Sequence, residues 1–388
     1  MSAHEKHCPG IQSGSPTTQP TAGLAMIDPL VLEGNELVAD LVDNVYARSG
    51  YNARRLAEAC DLYRHMLTED TTVCLTLAGA MTPIGMSGVI NALIKAGFID
   101  CIIATGANLY HDMHRPFDKP MMQGHFAVDD NQLAEEGVAR IYDVFIEDEG
   151  TLLATDQIIL KAMGGIALEG PMSTAQLHHA LGGRIKAMAQ HPDWSILVTA
   201  YDHDVPVYTS SPGDSSIAMN LTVPHLFGRP IELDPLRDVI ETAAIVRAGT
   251  KNGVVVVGGG SPKNFYLQTQ PTLHQIFYDQ TPVGHDYMIQ LAVDSPQWGG
   301  LSGATPQEAR SWGKIRDARV NNVVVYSCAS LTLPLLAQYV LARSTPRPHK
   351  RLYRRLGELT ETLRKAAAAN PNVQKSMALF NAGNSTGK

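Results

Sequence analysis

The chain has 388 residues, 44% of them hydrophobic, with a formal net charge of -7 and a pI near 6.0. That length and apolar content suffice for one large core or two small ones, and they exclude fibrous and broadly disordered classes. The acidic balance argues against a general binder of nucleic acid or anionic membranes and suits small cationic ligands.

Cys8, Cys60, Cys74, Cys101 and Cys328 are odd in number and form no CxxC pair. They read as reduced thiols of a cytoplasmic protein, not as a disulfide framework or a zinc site. No apolar core follows a basic start at the N-terminus, and no run approaches the ~18 apolar residues a membrane helix needs. Residues 1–26, rich in Ser, Thr, Pro, Gly and Gln, read as a flexible N-terminal tail. Residues 27–370 read as a single domain, and the polar residues 371–388 as a flexible C-terminal tail. His4, His7 and Cys8 have no second ligand cluster downstream, so no metal site is expected.

Leu37, Val38, Leu41, Val42 and Val45 recur at helical spacing, and a second helix is predicted over 53–67. Residues 73–77 are a buried strand ending in Ala78-Gly79-Ala80-Met81-Thr82-Pro83, with a helix over 86–96. Residues 100–105 are the next strand, ending in Gly106-Ala107-Asn108. Two strand–loop–helix units in succession predict an α/β fold: a doubly wound, mostly parallel sheet with helices on both faces. Such sheets bind ligands beyond the carboxyl ends of their strands, where small residues allow close approach of a phosphate. His111 and His114 share a helical face, but no third metal ligand accompanies them.

Residues 131–146 have helical periodicity, and Gly164 to Pro171 reads as a connection. Residues 172–190 are a predicted helix capped by Ser173 or Thr174. Residues 195–200 and 205–208 are strand-like and lead into the Ser/Asp-rich loop 209–216. A helix is predicted over 234–248, followed by the most apolar strand, 253–257, and Gly258-Gly259-Gly260. The glycines serve either a nucleotide or a tight strand-to-helix turn. Strands over 287–293 and 322–326 and helices over 331–341 and 351–369 complete the pattern.

The run from Ser302 to Ile315 brings a hydroxyl, a carboxylate (Glu308), an indole (Trp312) and an amine (Lys314) into fourteen residues. Between Trp312-Gly313 and Ile315 the amine is partly desolvated, which favours its neutral, nucleophilic form. Trp312 suits a cation–π cover over a cationic substrate, with Glu308 as its counter-charge. The plain alternative is a solvated lysine marking a helix end.

Ser-Gly-Ala-Thr-Pro-Gln-Glu-Ala-Arg-Ser-Trp-Gly-Lys-Ile resembles the active-site segment of deoxyhypusine synthases. The resemblance extends over most of residues 70–340 and is dense again at Gly258–Gly260. It implies NAD as cofactor, a polyamine or related amine as substrate, an amine or protein-lysine acceptor, and a homotetramer. Lys314 would carry an aminobutyl-type group as an imine, with Trp312 covering and Glu308 anchoring the amine. Asn264 and Gln268 stand where the family has a histidine and an asparagine, and Gly299 lies in the loop that reaches the amine. The cofactor would be held by Gly79, Thr105, Gly106, Asp214, Gly258, Gly259, Gly260, Asp294 and Ser302. His111 occupies the place of a glutamate that touches the ribose. Met219 and Leu301 replace aspartates of the polyamine pocket, and Cys328 replaces an acidic ribose contact. The losses point towards a shorter, less charged or end-modified substrate, with a homospermidine-type reaction on a free diamine as the nearest variant. A non-catalytic NAD-binding protein and an NAD-consuming deacylase using His111 or His285 remain as readings from other classes.

Overall fold

The structure, a computed structural model, describes residues 26–385 apart from 28, 33, 35 and 167–169. The N-terminal tail and its His4, His7 and Cys8 lie outside the described residues. Nine strands are present among the described residues: β1 (Thr71–Leu77), β2 (Cys101–Ala104), β3 (Met122–Gln123), β4 (Val138–Ile141), β5 (Val144–Glu147), β6 (Val207–Thr209), β7 (Lys251–Val257), β8 (Tyr287–Ala292) and β9 (Asn322–Tyr326). Six of them form one parallel sheet in the order β6-β2-β1-β7-β8-β9. Alternate residues of the central strands enter two separate cores. Val73, Leu75, Leu77, Val255 and Val257 join one, with the helices Tyr51–Thr68, Ser87–Lys95 and Ala329–Arg343. Cys74, Val254 and Val256 join the other, with Pro235–Ala248, Gly260–Leu267 and Leu352–Ala369. The period of two along each strand therefore builds a doubly wound sheet covered on both faces. The chain runs outward from β1 through β2 to β6, then returns and runs the other way from β7 to β9. The switch point lies between β1 and β7, where such folds open a ligand crevice.

The structure corrects three elements. Residues 196–203 are a helix, not a strand. Asp112, fully buried, accepts from Ser195 Oγ (2.7 Å) and from the amides of Ile196 (2.7 Å) and Leu197 (3.3 Å), satisfying that helix's amino end. β-branched, apolar residues here read locally as a strand; a carboxylate from far away in sequence makes them a helix. The predicted helix 131–146 is only Asp130–Glu135, capped by Asp129 and stopped by Gly137 at φ 67°. A two-residue Tyr142-Asp143 loop then joins β4 to β5, which with β3 form a small antiparallel sheet. Residues 371–385, for which no helix was expected, form one: Asn370 accepts from the Asn372 amide and Pro371 takes the first helical position. The remaining predicted elements occur within a few residues of their expected bounds, with Ser173 and Gln176 forming a full capping box.

Candidate active site

Lys314 is placed by backbone geometry on both sides. The short helix Pro306–Ser311 starts at Thr305, whose hydroxyl accepts from the Glu308 amide at 3.1 Å. It ends in a Schellman motif: Gly313, at φ 69°, donates to Arg310 O, and the Lys314 amide donates to Ala309 O. Lys314 O in turn accepts from the His285 amide at 2.9 Å, within a parallel bridge between His285 and Ile315. Gly-Lys does mark a helix end, and the helix end is what aims the lysine.

The half-buried Lys314 Nζ donates to Asn264 Oδ1 at 2.9 Å. It lies 5.7 Å from the centre of the Trp312 indole. Burial lowers its pKa from the ordinary lysine value, and Glu308 opposes the shift. Asn264 and Gln268 line a cavity of about 300 Å³ beside this amine. Trp312, Glu308, Leu301 and Met219 are exposed.

The predicted cofactor residues gather at the carboxyl ends of the strands. After β1, the loop 78–83 is held by Asn108: its Oδ1 accepts from the Met81 and Thr82 amides, and its Nδ2 donates to Gly79 O and Thr105 Oγ1. Arg115 clamps the same loop through Thr82 O and Pro83 O. After β7, Gly258 and Gly260 adopt left-handed φ of 73° and 58°, and the Gly260 amide donates to Ser302 Oγ at 3.0 Å. A Cβ on Gly259 would stand 2.5 Å from Ser302 Cα, and one on Gly106 would stand 2.0 Å from Ser215 Cβ. Those two glycines make room for neighbouring loops of the chain itself. Only Gly260, of the three, faces open space. Asp214, Asp294 and Gly299 are exposed on the adjoining loops.

His111 Nδ1 and His114 Nε2 share a hydrogen bond of 2.9 Å, and His114 Nδ1 meets Thr155 Oγ1 at 2.7 Å. Burial pulls their pKa values down to about 4 and about 3, so both are neutral. His285 is fully buried against Tyr266, with its pKa lowered to about 3 by burial. A residue so enclosed has no access to a substrate, which removes it as a candidate for nicotinamide chemistry.

The sequence reading passed over Lys263. It is 2% exposed, and its Nζ meets Gln290 Oε1 (3.0 Å) and the carbonyls of Leu301 (3.2 Å), Ser302 (3.3 Å) and Ala304 (2.6 Å). Gln290 Nε2 adds Ser302 O and Gly258 O. Burial lowers the Lys263 pKa to about 8. Together they rivet the Ser302 loop to the glycine turn.

The profile of the deoxyhypusine synthase family matches residues 40–340. The chain belongs to the deoxyhypusine synthase family. It is 44% identical over 363 residues to a deoxyhypusine synthase-like protein of Nostoc punctiforme, covering 90% of this chain and 92% of that one. It is 41% identical over 303 residues to a protein named "Probable deoxyhypusine synthase 2" of Methanosarcina mazei, covering 77% and 85%. In fold it is similar to a candidate deoxyhypusine synthase of Entamoeba histolytica, with a TM-score of 0.54 at 15% identity, covering 81% of this chain and 96% of the other. Deoxyhypusine synthases are transferases that use NAD. Within this family member, the segment that carries the resemblance is the one that the Schellman motif and the His285 bridge hold in place. No helix among the described residues is long and apolar enough to cross a membrane.

Proposed function

We propose that this protein is an NAD-dependent transferase that moves an aminoalkyl group from a polyamine-type amine, through an imine on Lys314, to an amine acceptor. The observation that carries the reading is the half-buried Lys314 amine, its pKa lowered by burial and its Nζ held by neutral Asn264 rather than by a carboxylate.

Doubly wound sheets bind dinucleotides at the switch point, here between β1 and β7, and the open space at Gly260 together with the loops held by Asn108 and Lys263 supports NAD there. The residues that would hold it are Gly79, Thr105, Gly106, His111, Asp214, Gly258 to Gly260, Asp294 and Ser302. Thr105 Oγ1 accepts from Asn108, which leaves its own hydrogen to donate. When bound, NAD would accept a hydride from the donor carbon and return it to the final product.

Lys314 Nζ would attack the C=N carbon of the oxidised donor. The new C=N bond joins Nζ to that carbon, both bonds to the departing nitrogen break, and the leaving amine takes the two protons that Nζ gives up. A second amine would then attack the Lys314 imine and free the lysine. Trp312 would lie over the amine and limit water, because imines hydrolyse. Glu308 would balance an ammonium. Asn264 would orient Nζ without taking its proton. A free diamine as acceptor is favoured over a protein lysine by the missing pocket carboxylates. Assembly into a homotetramer in the cytoplasm belongs to the same reading; exposed Met219, Val223, Leu226 and Phe227 supply apolar surface for it.

The test is incubation with NAD and a panel of polyamines, borohydride reduction and mass spectrometry of the intact protein. A mass increase on the wild type, absent in Lys314→Arg, is expected, and its size identifies the transferred group. NAD binding without an adduct from any amine would leave a non-catalytic NAD-binding protein instead.

A further inference from the structure

The cavity beside Lys314 is neutral all round. Its apolar wall is Val239 and Phe265, and its polar lining consists of hydroxyls and carboxamides. No carboxylate lines it. The two acids on the adjoining Pro235–Ala248 helix are engaged elsewhere: Asp238 with the Thr174 amide (2.7 Å) and hydroxyl (2.9 Å), and Glu241 with Tyr208 Oη (3.2 Å).

The polar atoms around the cavity have a definite sense. Thr242 Oγ1 donates to Asp238 O (2.7 Å), Thr269 Oγ1 to Tyr266 O (2.7 Å) and Thr272 Oγ1 to Gln268 O (2.9 Å). These three hydroxyl hydrogens are thus committed to the backbone, which leaves the oxygens of Thr242 and Thr272 as acceptors, while Thr269 Oγ1 also meets buried His285 Nε2 at 3.4 Å and Ser261 Oγ meets Ser211 Oγ at 3.5 Å with either as donor. Asn264 uses its carbonyl on Lys314 and keeps its NH₂. The Gln268 carboxamide makes no hydrogen bond to the described residues, so it offers both a donor and an acceptor. An ammonium group placed here would lose part of its hydration, Gln268 and Ser261 being exposed, and meet no counter-charge. A neutral group carrying one donor and one acceptor would find partners for both, and a site built that way discriminates strongly against ligands that leave its polar atoms unpaired.

We propose that this cavity takes the uncharged, amide-type end of the amine substrate, so that the preferred donor is a polyamine carrying an acyl or carbamoyl group on one terminal nitrogen. The inference deepens the aminoalkyl-transfer reading and rests on it for the identity of the site. Asn264 is the shared wall: one side of its carboxamide holds Lys314 Nζ, and the residue lines the cavity. Glu308, on the Lys314 side, remains as the partner of the one charged end.

The experiment compares spermidine with its two mono-N-acetylated forms, using full-length protein and NAD. Two quantities are read: the amine concentration giving half-maximal borohydride-trapped adduct on Lys314, and direct binding by calorimetry. Half-maximal trapping with one acetylated form at a concentration at least ten-fold below that for spermidine is expected. Gln268→Glu, nearly isosteric, places a carboxylate at the cavity and is expected to reverse that preference. Trapping of spermidine as well as or better than both acetylated forms would overturn the inference while leaving aminoalkyl transfer intact. If no amine is trapped, the transfer reading falls, and calorimetry alone decides: ten-fold tighter binding of an acetylated form sustains the neutral-end site, and equal or weaker binding overturns it.

Discussion

Lys314 Nζ donates to Asn264 Oδ1 across 2.9 Å, and the Asn264 carboxamide takes up no proton from it. A carboxamide orients the amine and leaves its proton to be lost to water or to the incoming amine. The lysine is therefore tuned by burial, which lowers its pKa, more than by a partner base.

Asn264→Asp tests this directly. A carboxylate at that place favours the ammonium and raises the Lys314 pKa. The pH at which adduct formation reaches half its maximum should move upward by about 1–3 units, as for a carboxylate beside a cation. At pH 8 trapping should slow ten-fold or more, measured as the rate of adduct formation by mass spectrometry. An unchanged pH profile would mean that the amine is not held by residue 264 when it reacts.

Gly106 is where the loop after β2 meets the loop carrying Asp214. Gly106→Ala puts a methyl group 2.0 Å from Ser215 Cβ and should lower NAD affinity at least ten-fold, read by calorimetry. Adding Ser215→Gly removes the opposing atom at small cost to the helix cap it forms for Ala218. The double variant should recover most of the affinity, whereas a glycine needed only for close approach to phosphate would not be rescued.

Arg347 ties the segment after the Ala329–Arg343 helix to the sheet. It donates to Gly97 O (2.8 Å), Thr71 O (3.0 Å) and the buried Asp100 carboxylate (3.0 Å). Burial pushes the Asp100 pKa up, and Arg347 holds it down. Arg347→Met should destabilise the fold by about 3–5 kcal/mol, because it leaves a buried charge without its partner. Denaturant unfolding monitored by circular dichroism measures the loss.

Acid should unfold the protein through its neutral histidines. His111 and His178 have pKa values near 4, and His114 and His285 near 3, each lowered by burial from 6.5. Between those values and 6.5 the unfolded chain binds more protons than the folded one. Their contribution is complete above pH 6.5 and is lost as pH falls toward 4 and then 3. His285→Phe keeps the stack on Tyr266 and removes one titrating group. Its stability should fall less steeply over pH 6 to 4, by about 1.4 kcal/mol per pH unit. Chemical denaturation at several pH values reads the two slopes.

What could be read from the sequence follows the range of the forces involved. Lys314, Trp312 and Glu308 lie within seven residues, and the cap that aims the lysine is local chemistry of Thr305 and Gly313. The strands of the main sheet declared themselves by short apolar runs, followed closely by glycine after β1, β2 and β7. The roles of Asp112, Asn108 and Lys263 did not, because each acts on backbone that only the fold brings near: Asp112 meets the Ile196 amide across 84 positions, and Lys263 meets Ala304 O across 41. The same distance effect turned residues 196–203 from an expected strand into a helix. The hairpin of β4 and β5 was hidden because helical periodicity continued past Gly137, whose positive φ ends the helix.

The main chain of Lys314 is pinned between a helix terminus and the His285 bridge, so only its side chain is free to travel. On the proposed transfer, the group it carries turns on a fixed pivot with the reach of one four-carbon stem. Delivery and collection then have to happen at one berth. The departing amine must vacate the spot before the receiving amine arrives, and the two cannot sit side by side. Steady-state kinetics should accordingly show parallel double-reciprocal lines, the sign of a carrier that is loaded and unloaded in turn.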